Sequence, residues 1–389
     1  MEEETEKDQM IIPIVRPFWL VLKAVTLWLP ENQPLCKKRN LARFLVIALF
    51  FVFAQLQPAI LLVKLDFSRG INDLRFVAHL LVIVWGFQGV ITMGYLVHWK
   101  ASGRVQAWLE LLENTDHHTI RANRHRLLVR QILILLFIVV FTSLIWGFAV
   151  FLALRPEHDL TGLGNSSKNL LGTAYFYPFA AFANLVNMFV WFFGMSLFAF
   201  LCSCVSLLVD RFNSDLRAKG GAMRSLENLH QTFVHHTQLS RLIDQLNALT
   251  ERFLFFMIAA NIVLVTLGLY FLLSQGKLIW KRELTPVVAS VLFTCLQLLA
   301  LSLIPADIHS KIHESPKIIH NELEVWKPYD SEIFEMANYF CSYVSQCDVG
   351  VSIWGYVIIT KPLLLTVFSF ILTYLVLLMQ VSVDKRTDD

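Results

Sequence analysis

The chain has 389 residues, with 33 Lys and Arg against 30 Asp and Glu, for a formal net charge of +3. It is 56% hydrophobic and only 16% charged, with a mean hydropathy of +0.56, whereas soluble domains carry about 25% charged residues. These values exclude an ordinary water-soluble globule, and the balanced charge offers no basic surface for nucleic acid.

Long uncharged runs recur and alternating strand patterns do not, which predicts an all-α membrane protein. Residues 1–43 read as a cytoplasmic N-terminal segment. The opening MEEETEKD is acidic where a cleavable signal peptide would be basic. Phe18–Leu29 is apolar but short and is interrupted by Lys23, which suits a helix lying in the membrane interface. Pro30 and Pro34 end it, before the basic cluster Lys37-Lys38-Arg39.

Residues 44–304 are predicted to hold six spans. The first is 44–63, with Pro58 as a kink, and the second 76–99. A polar helical stretch follows to Arg130, and then a third span over 132–154. The loop 155–172 contains the sequon Asn165-Ser166-Ser167, so Asn165 is the expected glycosylation site. The fourth run, 174–209, is uncharged for 36 residues. As a helix it would rise about 54 Å against a hydrocarbon core of about 30 Å, so it is predicted to project beyond the bilayer. Leu226, Leu229, Phe233, Leu239, Ile243, Leu246 and Phe253 recur at roughly helical spacing, which predicts an amphipathic helix leading into a fifth span at 253–273. The sixth span is 286–304. Residues 305–361 read as a cytoplasmic helical segment broken by Pro316 and Pro328, with a stripe of Ile333, Ala337, Cys341 and Val344. A seventh span occupies 362–383, and 384–389 form a short tail.

Orientation follows from Lys and Arg. The N-terminal segment and the loops after spans two, four and six hold 23 of them, and the opposite side holds 10. The N-terminus is therefore expected in the cytoplasm and the C-terminus outside. The sequon then falls outside. None of the six cysteines lies in a predicted external loop, so no external disulfide is expected.

Catalytic patterns are weak. His309 and His313 have zinc-like i, i+4 spacing, but no third ligand is fixed beside them, and they read as a solvated pair. His117-His118 and His235-His236 are adjacent and read as polar surface. There is no phosphate loop, no Cys-x-x-Cys and no nucleophile elbow, so neither enzyme activity, a cofactor nor a metal site is expected. The polar groups within the spans are more informative. Asn184, Asn187 and Trp191 share one face of the fourth span. His79, Trp85, Trp146, Tyr270, Thr294 and Gln297 could face them from other spans. Aromatic walls with a few amides suit a small organic ligand. Asn and Gln equally suit hydrogen bonds between helices, and Tyr and Trp an interfacial belt.

The final span carries Thr373-Tyr374, five apolar residues from Leu375 to Met379, and then Gln380-Val381. This string resembles the Thr-Tyr, five hydrophobics, Gln-Phe signature of the last helix of insect gustatory receptors, with Val381 in place of the usual Phe. The seven spans and the inverted orientation are also similar to that family. The resemblance implies a ligand-gated cation channel in the sensory-neuron plasma membrane, built as a homotetramer or as a heterotetramer with related subunits. It implies a pore lined by the last helix, with Thr373, Tyr374, Gln380 and Val381 near the gate, and a tastant pocket in the outer membrane half. An odorant receptor of the same superfamily and a secondary transporter are the alternatives. A G-protein-coupled receptor has the opposite orientation.

Overall fold

The computed structural model describes residues 74–123, 177–219, 225–274 and 285–387, together with Leu45, Leu49 and scattered positions between 125 and 144. The interfacial segment at 18–29, the first span apart from Leu45 and Leu49, Trp146 and Asn165 lie outside the described residues.

Helix α1, Leu74–Ser102, is the predicted second span. It ends at Gly103, whose φ of 64° is a left-handed turn that favours glycine. The chain then enters α2, Arg104–Thr115, which buries Val105, Trp108, Leu109 and Leu112 at helical spacing. A short α3, His117–Ala122, follows.

Two helices exceed any bilayer. Helix α4, Tyr177–Lys219, has 43 residues, and α5, Leu226–Ser274, has 49; they rise about 65 and about 74 Å. Their surplus lengths cover one another and recruit α2. Leu208, Phe212 and Leu216 of α4, and Leu229, Leu239, Leu242, Ile243 and Leu246 of α5, are buried in one continuous apolar core. Trp99 and Trp108 extend it, their indole nitrogens donating to the carbonyls of Leu249 (3.1 Å) and Leu242 (3.2 Å) on α5. The core also corrects the reading of His235-His236 as surface. His236 is fully buried, packed against Phe212 and Phe340. Burial pushes its pKa down to about 4, so it sits in the core as a neutral ring.

Helix α6, Thr285–Ile312, runs through Pro305, eight residues past the predicted span end. Lys311 of this extension pairs with Asp210 of α4 (2.8 Å) and with Asp307 one turn back on α6 (2.7 Å), and Glu314, just past α6, pairs with Arg217 of α4 (2.6 Å). Pro316 begins the next helix, α7 (Ser315–Asn321), where a missing N–H costs nothing. After α8, Leu323–Trp326, comes α9, Ser331–Gln346, capped by Asp330, whose carboxylate accepts from the Glu332 and Ile333 amides. Helix α9 buries Ile333, Ala337, Phe340 and Val344, with Cys341 half-buried beside them.

An antiparallel hairpin follows, β1 (Ser352–Ile353) against β2 (Val357–Ile358). No strand was expected, because two-residue strands leave no alternation to detect. Asn247 of α5 holds it, its Oδ1 accepting from the Ser352 amide (2.8 Å) and hydroxyl (3.0 Å). The last helix, α10, spans Lys361–Thr387. Five described segments are long and apolar enough to cross a membrane: Leu80–Ser102, Leu185–Ala218, Leu226–Leu273, Ser290–Asn321 and Lys361–Gln380.

Close approach of α1 and α4 rests on Gly194. A Cβ there would fall 2.2 Å from Thr92 Cγ2. Thr92 is β-branched, and its hydroxyl donates to the Gln88 carbonyl at 2.7 Å, so it yields little. Overpacking of this kind costs about 1–3 kcal/mol. Gly194→Ala is therefore expected to reduce the monodisperse receptor recovered in detergent, and adding Thr92→Ser, which deletes the clashing methyl, to restore it. Full recovery of Gly194→Ala alone would contradict the contact.

Candidate functional site in the membrane helices

Two sets of uncharged polar residues lie within the spans. The first is buried among α1, α4, α5 and α6. Asn187 is buried, donates to the Gly86 carbonyl (3.3 Å) and packs against Gly89, where a Cβ would overlap its amide. Trp191, one turn deeper, meets Phe293 of α6 edge-on at 6.4 Å. Gln297 lies one turn beyond Phe293 on α6 and is buried, as is Thr294, whose hydroxyl returns to the Ser290 carbonyl.

Sequence reasoning missed two members, Gln88 of α1 and Asn261 of α5, both fully buried. Each lies one turn from a partner in the contact between Thr92 and the Met257 sulfur (3.9 Å), which places them at similar depth. An uncharged amide inside a span was the available signal. Among the described residues, the amides of Gln88 and Gln297, the indole nitrogens of Trp85 and Trp191, and the Oδ1 atoms of Asn187 and Asn261 meet no protein hydrogen-bond partner. Buried polar atoms are costly without partners, and these are distributed over α1, α4, α5 and α6 of one bundle. Tyr270 is elsewhere. It is buried with Leu81, Leu264, Phe271 and Leu375, the last on α10. Asn184 lies in α4 and His79 in α1, but their side chains are outside the described residues.

The second set is on α10. Only 11% of its span is buried within the chain, against 83% of the α4 span. Leu364, Ile371 and Leu375 form its buried stripe. Thr366, Ser369, Thr373 and Gln380 are all exposed. At about 100° per residue, these four fall within about 60° of one another, opposite the buried stripe. Thr366 and Thr373 turn their hydroxyls to the Pro362 (3.3 Å) and Ser369 (2.9 Å) carbonyls. Phe370 and Tyr374 flank the polar stripe, with ring centroids 4.4 Å apart. The Val381 side chain lies outside the described residues. Helix α10 thus packs by one face, while the opposite face carries the Gln380 amide, which lipid would not favour, in line with two threonines satisfied within the helix.

The sequence profile described as 7tm chemosensory receptor matches residues 31–384. The chain belongs to this family. No protein of curated function matches it in sequence. In fold, this chemosensory receptor is similar to the insect olfactory receptor OR5 from Machilis hrabei. The likeness has a TM-score of 0.68 and 12% identity for that receptor alone, and 0.63 and 13% for its complex with eugenol. Each covers 94% of this chain and 97% of the olfactory receptor chain.

Asn187 and Gln297 are expected to respond differently to substitution. Asn187 has a protein partner across a helix contact, so Asn187→Ala should lower the yield of folded receptor. Gln297 has none among the described residues, and replacing an unpaired buried amide by an apolar group of similar size is near neutral for folding. Gln297→Leu should keep surface expression while raising the half-maximal ligand dose about two- to tenfold, the equivalent of one hydrogen bond. Surface labelling beside current recording checks both; an unchanged dose curve in Gln297→Leu would make that amide purely structural.

Proposed function

We propose that the chain is one subunit of a gustatory receptor, a ligand-gated non-selective cation channel of the sensory-neuron plasma membrane. The observation that carries this reading is the division of α10 into a buried apolar stripe and an opposite exposed stripe of Thr366, Ser369, Thr373 and Gln380. A lone membrane helix gains nothing by showing such a stripe to lipid. Four copies around one axis would give it water and ions instead, and so make the pore of a homotetramer or of a heterotetramer with related subunits. In this arrangement residues 1–43 and 305–361 are cytoplasmic, 362–383 lines the pore and 384–389 is extracellular. The Thr373-Tyr374 to Gln380 string supports the taste branch over the odorant branch of the superfamily.

The ligand is a small uncharged organic tastant, held by the indoles and amides of Trp85, Gln88, Trp191 and Gln297. The eugenol complex of the olfactory receptor supports a ligand of that size and neutrality. Activation requires that the tastant bind the open arrangement more tightly than the closed one. Tyr270 and Leu375, which share a buried cluster, offer a packed route from α5 to the pore helix.

Charge at Gln380 tests the reading. Gln380→Glu repeats a carboxylate four times around the axis and should raise relative permeability to divalent cations. Gln380→Arg should reduce cation flow by the same electrostatics. A lipid-facing position predicts failure of both variants to reach the surface, because either charge is costly in hydrocarbon. Reversal potentials in ion-substituted solutions, normalised to surface protein, separate the cases. Normal surface levels with unaltered selectivity in both variants would remove Gln380 from the ion path.

A further inference from the structure

The turn after α6 holds an imidazole between two acceptors. His313 Nδ1 lies 2.9 Å from the His309 carbonyl, and Nε2 lies 2.9 Å from the Cys347 carbonyl. A carbonyl oxygen accepts and never donates. Neutral imidazole has a single N–H and satisfies one of these contacts; the imidazolium has two and satisfies both. One acceptor belongs to the last turn of α6, where the helix dipole favours a cation. The other is the C-cap residue of α9. The half-buried ring is therefore built to carry a second proton and to bridge two helices with it.

The neighbouring titratable and charged groups are turned elsewhere or disfavour a charge. His309 of α6 lies 4.3 Å from His313 between centroids, and both rings are half-buried. Burial pushes the His309 pKa down, the His313 charge adds to this, and Asp348 opposes it. Lys311 is turned to Asp210 and Asp307. On α5, His236 is neutral through burial, and His235 stacks edge-on against Phe212. Glu314, next in the chain, pairs with Arg217 of α4. From α9 come the Tyr343 phenol and Cys347 thiol, and Asp348 follows.

The bridge stands at the root of α10. A Cβ on Gly350 would lie 3.3 Å from the His309 ring and 2.6 Å from Ile358 of β2. The Ile359 amide donates to the Val351 carbonyl at 2.9 Å, two residues before α10 begins. We propose that His313 is a cytosolic proton-binding site whose proton latches the end of α6 to the root of the pore helix. The latch opposes opening, and it rests on the channel reading above for its effect on current. The protonated form gains a bond in the latched arrangement, so acid strengthens the latch.

Two measurements test it. In the first, the purified receptor is unfolded thermally between about pH 6 and about pH 8. Wild type should gain stability on acidification, beyond the change seen in His313→Gln, which cannot donate to both carbonyls. His313→Arg, a permanent cation with several donors, should also lose this component. Equal pH dependence in wild type and both variants overturns the proton site. In the second, cytosolic pH is changed over the same range on inside-out patches. Acid should raise the half-maximal tastant dose of wild type by about threefold or more, but not that of His313→Gln. Normal His313-dependent unfolding with an unmoved dose overturns the coupling to the pore. Receptor at the surface that passes no current in any variant counts against the channel reading, and the unfolding result still decides the proton site.

Discussion

Helix length against bilayer thickness is the constraint on which the rest of this structure depends. A hydrocarbon core of about 30 Å accommodates fewer than half of the residues in α4 or α5. The remainder must find cover outside the membrane, and it does so with its own kind. Phe212 and Leu216 meet the amphipathic half of α5, and α2, α7 and α9 close over the pair. The outcome is one core continuous from membrane to solvent. Past Pro305, Ala306, Ile308 and Ile312 bury α6 in the same core, and Lys311 pairs with Asp210 of α4 at its edge. The turn that holds His313 exists because α6 runs that far.

Within the membrane the helices divide their polar groups by purpose. Thr92, Thr250, Thr266, Thr294 and Ser302 return their hydroxyls to carbonyls one turn back and are satisfied locally. Amides and indoles cannot do this so readily, and those of Gln88, Gln297, Trp85 and Trp191 remain without protein partners among the described residues. They occupy the bundle interior, whereas the polar stripe of α10 faces outward from the chain. The proposed ligand site within the subunit and the proposed ion path between subunits rest on that separation. Tyr270 lies in a separate cluster that includes Leu375 of α10.

Much of this was legible in the sequence because it is written in hydrophobic period and length. The over-long fourth run, the amphipathic approach to the fifth span and the stripe through Ile333, Ala337 and Val344 all appear as helices. The family followed from Thr373-Tyr374 to Gln380 and is supported across residues 31–384. What was illegible depends on tertiary partners. His236 reads as polar until Phe212 and Phe340 surround it. Pro305 reads as a helix end until the burial of Ala306, Ile308 and Ile312 beyond it is known. The hairpin at Ser352–Ile358 is too short for any periodicity, and its anchor, Asn247, lies 105 residues away in sequence. Gln88 and Asn261 are uncharged and isolated, and only the packing of α1 against α5 brings them to one level.

The central claim is that the polar stripe of α10 faces ions while its apolar stripe faces the subunit's own core. Single cysteines placed along the helix, challenged by a charged thiol reagent during ligand-evoked current, test it most directly. The account predicts that cysteines at Thr366, Ser369, Thr373 and Gln380 are modified and alter the current. Those at Leu364, Ile371 and Leu375 should be silent. Modification of the buried positions together with silence along the polar stripe would contradict the account.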